Sequence, residues 1–116
     1  MWLLERLVTE PFTVVVQGCP FIIHFDNETE RKAIFNNYDL TELAFLKRAT
    51  ANAGSVFVDI GANCGYYTHT IASAMKPGSQ ILAIEPNPEM CRRATINRQN
   101  ALNANLATEV DVILEQ

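Results

Sequence analysis

The chain has 116 residues, 48% of them hydrophobic and 19% charged, with a formal net charge of -4. That balance builds a core and excludes a disordered chain. A mildly acidic chain also lacks the electrostatic footprint of a nucleic-acid binder and the basic cluster of a lipid-surface binder.

The length suits one small domain or a piece of a larger one. The segment Met1-Trp2-Leu3-Leu4-Glu5-Arg6-Leu7-Val8 reads as a short amphipathic lead-in. Its charges interrupt the apolar residues, whereas a signal peptide carries positive charge before them. Phe12 to Val16 is a β-branched run and Gln17-Gly18-Cys19-Pro20 reads as a turn. Phe21 to Phe25 is a second β-rich run, so a hairpin is expected. Glu28 to Phe35 reads as a helix, and Asp39 or Thr41 as the cap of the next, which runs to about Ala51. Leu43, Phe45, Leu46 and Ala49 are its expected apolar positions. Ala53-Gly54-Ser55 breaks the pattern. Residues 1–53 are therefore read as a hairpin and helical lead-in, and residues 54–116 as the main unit.

Val56 to Ile60 lacks polar alternation, as expected of a strand buried on both faces of a parallel sheet. A tight loop, Gly61 to Gly65, leads into a helix from Tyr66 to Met75. Gln80 to Ile84 is the next strand. Pro88 suits a first helical turn, and that helix runs to about Leu102. Ala107 to Leu114 reads as a third strand. The order is βαβαβ, with right-handed crossovers.

The stretch that carries chemistry is Val58-Asp59-Ile60-Gly61-Ala62-Asn63-Cys64-Gly65-Tyr66-Tyr67-Thr68. It lies at the carboxyl end of a strand, where ligands bind in such sheets. A dinucleotide site uses G-x-G-x-x-G to seat a pyrophosphate on a helix N-terminus. Here the spacing is G-x-x-x-G, with Asn63 where a second glycine would stand and Asp59 two positions before the first. A carboxylate there repels a pyrophosphate. S-adenosylmethionine has no phosphate and carries a sulfonium and an ammonium, so an acid beside the loop suits it. Glu85, at the end of the next strand, can accept hydrogen bonds from ribose hydroxyls. Bland readings stand beside these: Asp59 as a helix cap, Glu85 as a solvated turn residue, both glycines as purely structural.

At these residues the sequence resembles the FkbM family of S-adenosylmethionine-dependent methyltransferases, through Val58-Asp59-Ile60-Gly61-Ala62-Asn63, Gly65-Tyr66-Tyr67-Thr68 and Ile84-Glu85-Pro86-Asn87-Pro88. The resemblance implies an α/β, Rossmann-like class I methyltransferase fold, here a truncated βαβαβ unit preceded by a hairpin and two helices. It implies that S-adenosyl-L-methionine is held by Asp59, Gly61, Ala62, Asn63, Gly65, Tyr67, Glu85, Pro86 and Asn87. It also implies O-methyl transfer to a hydroxyl of a sugar or small metabolite. Such a domain continues through further strands, so a homo-oligomer or a missing second half is expected. No catalytic base is assigned. A non-catalytic half-domain and a nicotinamide-dependent dehydrogenase are the alternatives.

Cys19, Cys64 and Cys91 show no metal-binding spacing, and reduced thiols in the cytoplasm are expected. Cys64 is expected near a helix N-terminus that lowers its pKa. His24 reads as structural and His69 as partly buried. Arg92, Arg93 and Arg98 read as a solvated helix face. Tyr38 and Glu42 are weaker candidates for closing over the cofactor's amino-acid end.

Overall fold

The structure, a computed structural model, describes residues 2–9 and 11–116. After a short helix α1 (Trp2–Leu7) come strands β1 (Phe12–Val16) and β2 (Cys19–Ile23), paired antiparallel with Val16 opposite Cys19. The turn between them is shorter than the sequence suggested. It holds only Gln17 and Gly18, with φ of 49° and 83°. Two left-handed residues make a turn whose twist matches that of the strands, so Cys19 and Pro20 fall inside β2. Pro20 is tolerated because both strands of a two-stranded ribbon are edges.

Helix α2 (Glu28–Ala33) is capped by Asn27, whose side chain accepts the Glu30 backbone N–H. Helix α3 (Leu40–Ala49) starts after Asp39, which sits at the N-cap position in a left-handed conformation without making a side-chain cap bond. Its buried residue is Leu43, with Leu46 half-buried. Phe45 and Ala49 are exposed, contrary to the helical-spacing expectation.

The main unit contains β3 (Val56–Ile60), α4 (Tyr66–Ala72), β4 (Gln80–Ile84), α5 (Pro88–Asn103) and β5 (Asp111–Glu115). The three strands pair in parallel in the order β3-β4-β5. The third strand begins later than the sequence suggested. Val110 N–H bonds to Ala107 O in a turn, and Ala107 has φ of 49°.

Both crossovers step in one direction, so right-handedness puts α4 and α5 on the same face of the sheet. Phe57, Asp59, Ile81, Ala83, Val112 and Leu114 point to that face. The hairpin packs on α5 from beyond, which makes a third layer. Helix α4, sandwiched, is buried at Tyr66 and from Thr68 to Ala72, as expected of a helix covered on more than one side. Asn97 on α5 fastens the layers together. Its Oδ1 accepts from Ile22 N at 3.0 Å and its Nδ2 donates to Cys64 O at 3.1 Å.

The opposite face of the sheet is open. Val56, Val58 and Ile60 are 63%, 48% and 79% exposed. Burial on β3 therefore alternates, and the expectation of a strand covered on both faces is corrected. An apolar run reads the same whether or not this chain supplies the second cover.

A charged cluster with a buried centre, Arg93 and Glu30, and exposed outer members, Asp26 and Glu89, joins the lead-in to α5. Arg93 donates to Asp26 at 2.9 and 3.0 Å, to Glu30 at 3.3 Å and to Glu89 at 3.0 Å. Arg93 is 7% exposed and Glu30 fully buried. The expected solvated face thus holds for Arg92, which pairs with Glu89 at the surface, and fails for Arg93. Arg98 is half-buried and donates to Ala107 O and Val110 O. His24 Nδ1 lies 2.9 Å from Glu30 Oε2.

Candidate functional site

The loop between β3 and α4 is built on three left-handed residues, Gly61, Asn63 and Gly65, with φ of 78°, 54° and 86°. It is tied to the end of β4, where Ile84 O accepts from Gly61 N at 2.8 Å and from Ala62 N at 3.0 Å. Asn63 N donates to Glu85 Oε2 at 2.7 Å, Cys64 N to Asn63 Oδ1 at 2.8 Å, and Gly65 N to Ala62 O at 2.9 Å. Every backbone amide from Gly61 to Gly65 is thus spent inside the chain. A phosphate cradle needs such amides free and pointing at the ligand.

Glu85 bridges the site. It accepts from Asn63 N and, at 2.8 Å, from Asn87 N. A carboxylate offers about four lone-pair directions, so two remain for a hydroxyl-bearing ligand. Asn87 caps α5 through Glu89 N and Met90 N, with Pro88 in the first turn as expected. Pro86 is exposed beside it, and Ala62 is buried in the loop.

Asp59 plays the part of a helix cap. Its Oδ2 accepts from Thr68 Oγ1 at 2.6 Å, and the carboxylate is held by the Thr68 backbone N–H as well. Burial pushes its carboxyl above the usual range, the Thr68 bonds pull it back, and nearby Glu85 pushes it further up. A positively charged ligand between these two acids would relieve that repulsion.

Tyr67 donates to Asp39 Oδ2 at 2.6 Å, and burial with the Asp39 bond raises its pKa. Asp39 therefore uses its carboxylate on Tyr67 rather than on its own helix. Tyr67 also borders a cleft of about 560 Å³, with Thr41, Glu42, Phe45, Leu46 and Arg48. Exposed Phe45 lies there. Tyr38 packs on the Tyr66 ring, and its carbonyl accepts from Tyr66 Oη at 2.7 Å.

Cys64 requires a correction. It is fully buried, and desolvation pushes its thiol up to about 12. Burial here outweighs the helix N-terminus. Among the described residues no group of three or more His, Cys, Asp or Glu side chains is placed to hold a metal ion.

His69 is almost wholly buried. Its Nε2 lies 2.9 Å from Ala94 O, which makes Nε2 the protonated nitrogen, and Nδ1 has no partner among the described residues. Burial lowers its pKa from 6.5 to about 4. Between those values the unfolded chain binds the proton and the folded chain does not, so stability falls as pH drops. Moving from pH 7 to pH 5 should cost about 2 kcal/mol through this group. Urea unfolding at both values checks it. His69→Gln should remove most of the fall, and an undiminished fall would assign it elsewhere.

Two contacts around the loop escaped the sequence reading. The Asp39–Tyr67 bond left no local signal. Asn27 caps α2, and its side chain also reaches Asn63 across 36 positions, a contact with no local signal.

No protein-family model matches the sequence. No curated protein matches it either. Solved structures do share its architecture. A SAM-dependent methyltransferase from Agrobacterium tumefaciens superposes with a TM-score of 0.65 at 16% identity, over 94% of this chain and 33% of its own length. TYW2 of M. jannaschii, solved in complex with AdoMet, superposes with a TM-score of 0.58 at 23% identity, over 94% of this chain and 46% of its own. The chain has a Rossmann-like class I methyltransferase fold. It spans a third to a half of the length of those two proteins. The fold places the Gly61–Gly65 loop and Glu85 together at the carboxyl ends of adjacent strands, as the sequence led one to expect. Among the described residues no helix is long and apolar enough to cross a membrane.

Proposed function

We propose that the chain is the cofactor-binding part of an S-adenosylmethionine-dependent methyltransferase of the FkbM type. The observation that carries this reading is the balance of donors and acceptors. The loop amides are spent internally, while Glu85 keeps acceptor capacity and Asp59 lies close to it. That suits a cationic, ribose-bearing ligand without phosphate, and it disfavours a dinucleotide. The donor set fits S-adenosylmethionine: Glu85 would take the ribose hydroxyls, and the loop from Gly61 to Gly65 would flank the methionine end beside Asp59. When bound, the cofactor supplies an electrophilic methyl group. The chain's own residues bind and orient it, and orientation accounts for much of the rate in such transfers. The acceptor in this reading is a hydroxyl of a sugar or small metabolite, and the setting is the cytoplasm.

Calorimetric titration of the folded chain with S-adenosylhomocysteine, with NAD as control, tests the reading. Saturable binding of S-adenosylhomocysteine alone is expected. Glu85→Ala should weaken it by about 10- to 100-fold, the worth of hydrogen bonds to a charged group. Binding of NAD instead would overturn the assignment. The open sheet face favours a second reading, a non-catalytic half-domain completed by another polypeptide. A folded chain that binds neither ligand would move that reading to the front.

A further inference from the structure

We infer that Asn27 is a positioning residue for the cofactor loop, holding Asn63 in its left-handed conformation and thereby setting where the loop and Glu85 meet a ligand. This rests on the reading of the loop as an S-adenosylmethionine site.

The two ends of the Asn27 amide do separate jobs. Its Oδ1 accepts from Glu30 N at 3.0 Å and so closes the start of α2. That bond also fixes which end of the amide is oxygen. Its Nδ2 donates to Asn63 Oδ1 at 2.8 Å and meets Met90 Sδ at 3.1 Å. Asn63 has φ of 54°, a left-handed region that asparagine tolerates better than most side-chain-bearing residues but still occupies at a cost that local hydrogen bonds offset. Its side-chain oxygen also accepts from Cys64 N, and its own N–H donates to Glu85 Oε2. A continuous line of hydrogen bonds thus runs from the lead-in, through the loop, to the carboxylate that would hold the ribose. Asn27 is the only part of that line outside the βαβαβ unit. The buried Arg93–Glu30 pair fixes α2 against α5, so the arm that presents Asn27 is itself held.

The division of labour permits a clean substitution. Asn27→Asp keeps an oxygen for Glu30 N and remains a good cap. It has no N–H to donate, and it turns an oxygen toward Asn63 Oδ1. Asn63 can answer only by turning its amide over, which gives up Cys64 N.

The test uses the full chain, wild type and Asn27→Asp. It measures urea unfolding, amide exchange at Asn63 and Cys64, and titration with S-adenosylhomocysteine. The unfolding midpoint should hold, exchange at both amides should quicken, and binding should weaken about tenfold, as for loss of one well-made hydrogen bond. Unchanged exchange at both amides overturns the inference whatever the affinity, and so does unchanged affinity. A wild type that binds no S-adenosylhomocysteine overturns the functional reading, and the positioning role falls with it. Should Asn27→Asp lower the midpoint, Asn63→Gly decides. Glycine needs no holding at positive φ, so in that background Asn27→Asp should weaken binding no further. Additive losses would overturn the inference.

Discussion

Arg93→Met should destabilise the chain by about 3–5 kcal/mol, the usual cost of breaking a buried ion pair from one side. Arg93 is the cation that faces the fully buried Glu30, and it also holds Asp26 and Glu89. Removing it leaves the buried Glu30 with only His24 beside it among the described residues, through the backbone N–H and the ring. For a domain whose whole stability lies near 5–15 kcal/mol, roughly, that is a large fraction. The partner substitution separates charge from packing. Glu30→Gln keeps an acceptor for His24 N, which bonds Glu30 Oε2 at 2.5 Å, while removing the stranded charge. The double variant Arg93→Met/Glu30→Gln should therefore recover at least half of the loss. Urea unfolding of the three variants reads this directly. A single-variant loss below about 1 kcal/mol, the scale of a surface pair, would show that the cluster is solvated after all.

Gly65→Ala should be the most damaging small change in the loop. A methyl on Gly65 would lie 2.5 Å from His69 Nε2 and 2.7 Å from His69 Cδ2, with Ala94 Cβ at 3.2 Å. His69 cannot swing away, because its ring is buried and bonded to Ala94 O. Two costs add: about 1–2 kcal/mol for an L side chain at φ of +86°, and about 1–3 kcal/mol for overpacking. Gly61 offers the comparison. It too has positive φ, at +78°, but a methyl there meets nothing within 4 Å. Gly61→Ala should therefore show the backbone cost alone. Thermal or urea unfolding of both variants is the measurement, and equal losses would mean that the His69 contact relaxes.

These two predictions also show where sequence reading succeeded and where it stopped. The loop was legible because its signals are local: glycines where the backbone turns tightly, and a proline in the first turn of the helix that follows Glu85. The parallel βαβαβ order was legible for the same reason. Gly65 reads from sequence as the end of a tight loop, and the group it packs against, His69, is identified only by the fold. Arg93 was misread because helix periodicity reports a face and not what covers it. Its partners Asp26 and Glu30 lie 67 and 63 positions away. Phe45 and Val58 failed in the opposite sense. Each satisfies an apolar pattern, yet a pattern carries no information on whether a cover is present. The helix N-terminus beside Cys64 predicts a lowered pKa, whereas its thiol responds chiefly to desolvation.

Asn97 has a kinetic meaning beyond its role as a fastener between layers. Its amide joins a strand 75 positions upstream to a loop carbonyl 33 positions upstream. Both closures demand that distant stretches of chain meet before either bond forms, and topologies rich in such closures fold slowly compared with helical bundles. The hairpin, by contrast, can close on the scale of microseconds. The Cys64 carbonyl anchor, in contrast to the local β1–β2 turn, can form only when α5 has docked. The Gly61–Gly65 loop thus owes its order to bonds from Ile84, Glu85 and Asn97, all of which lie outside residues 56–68.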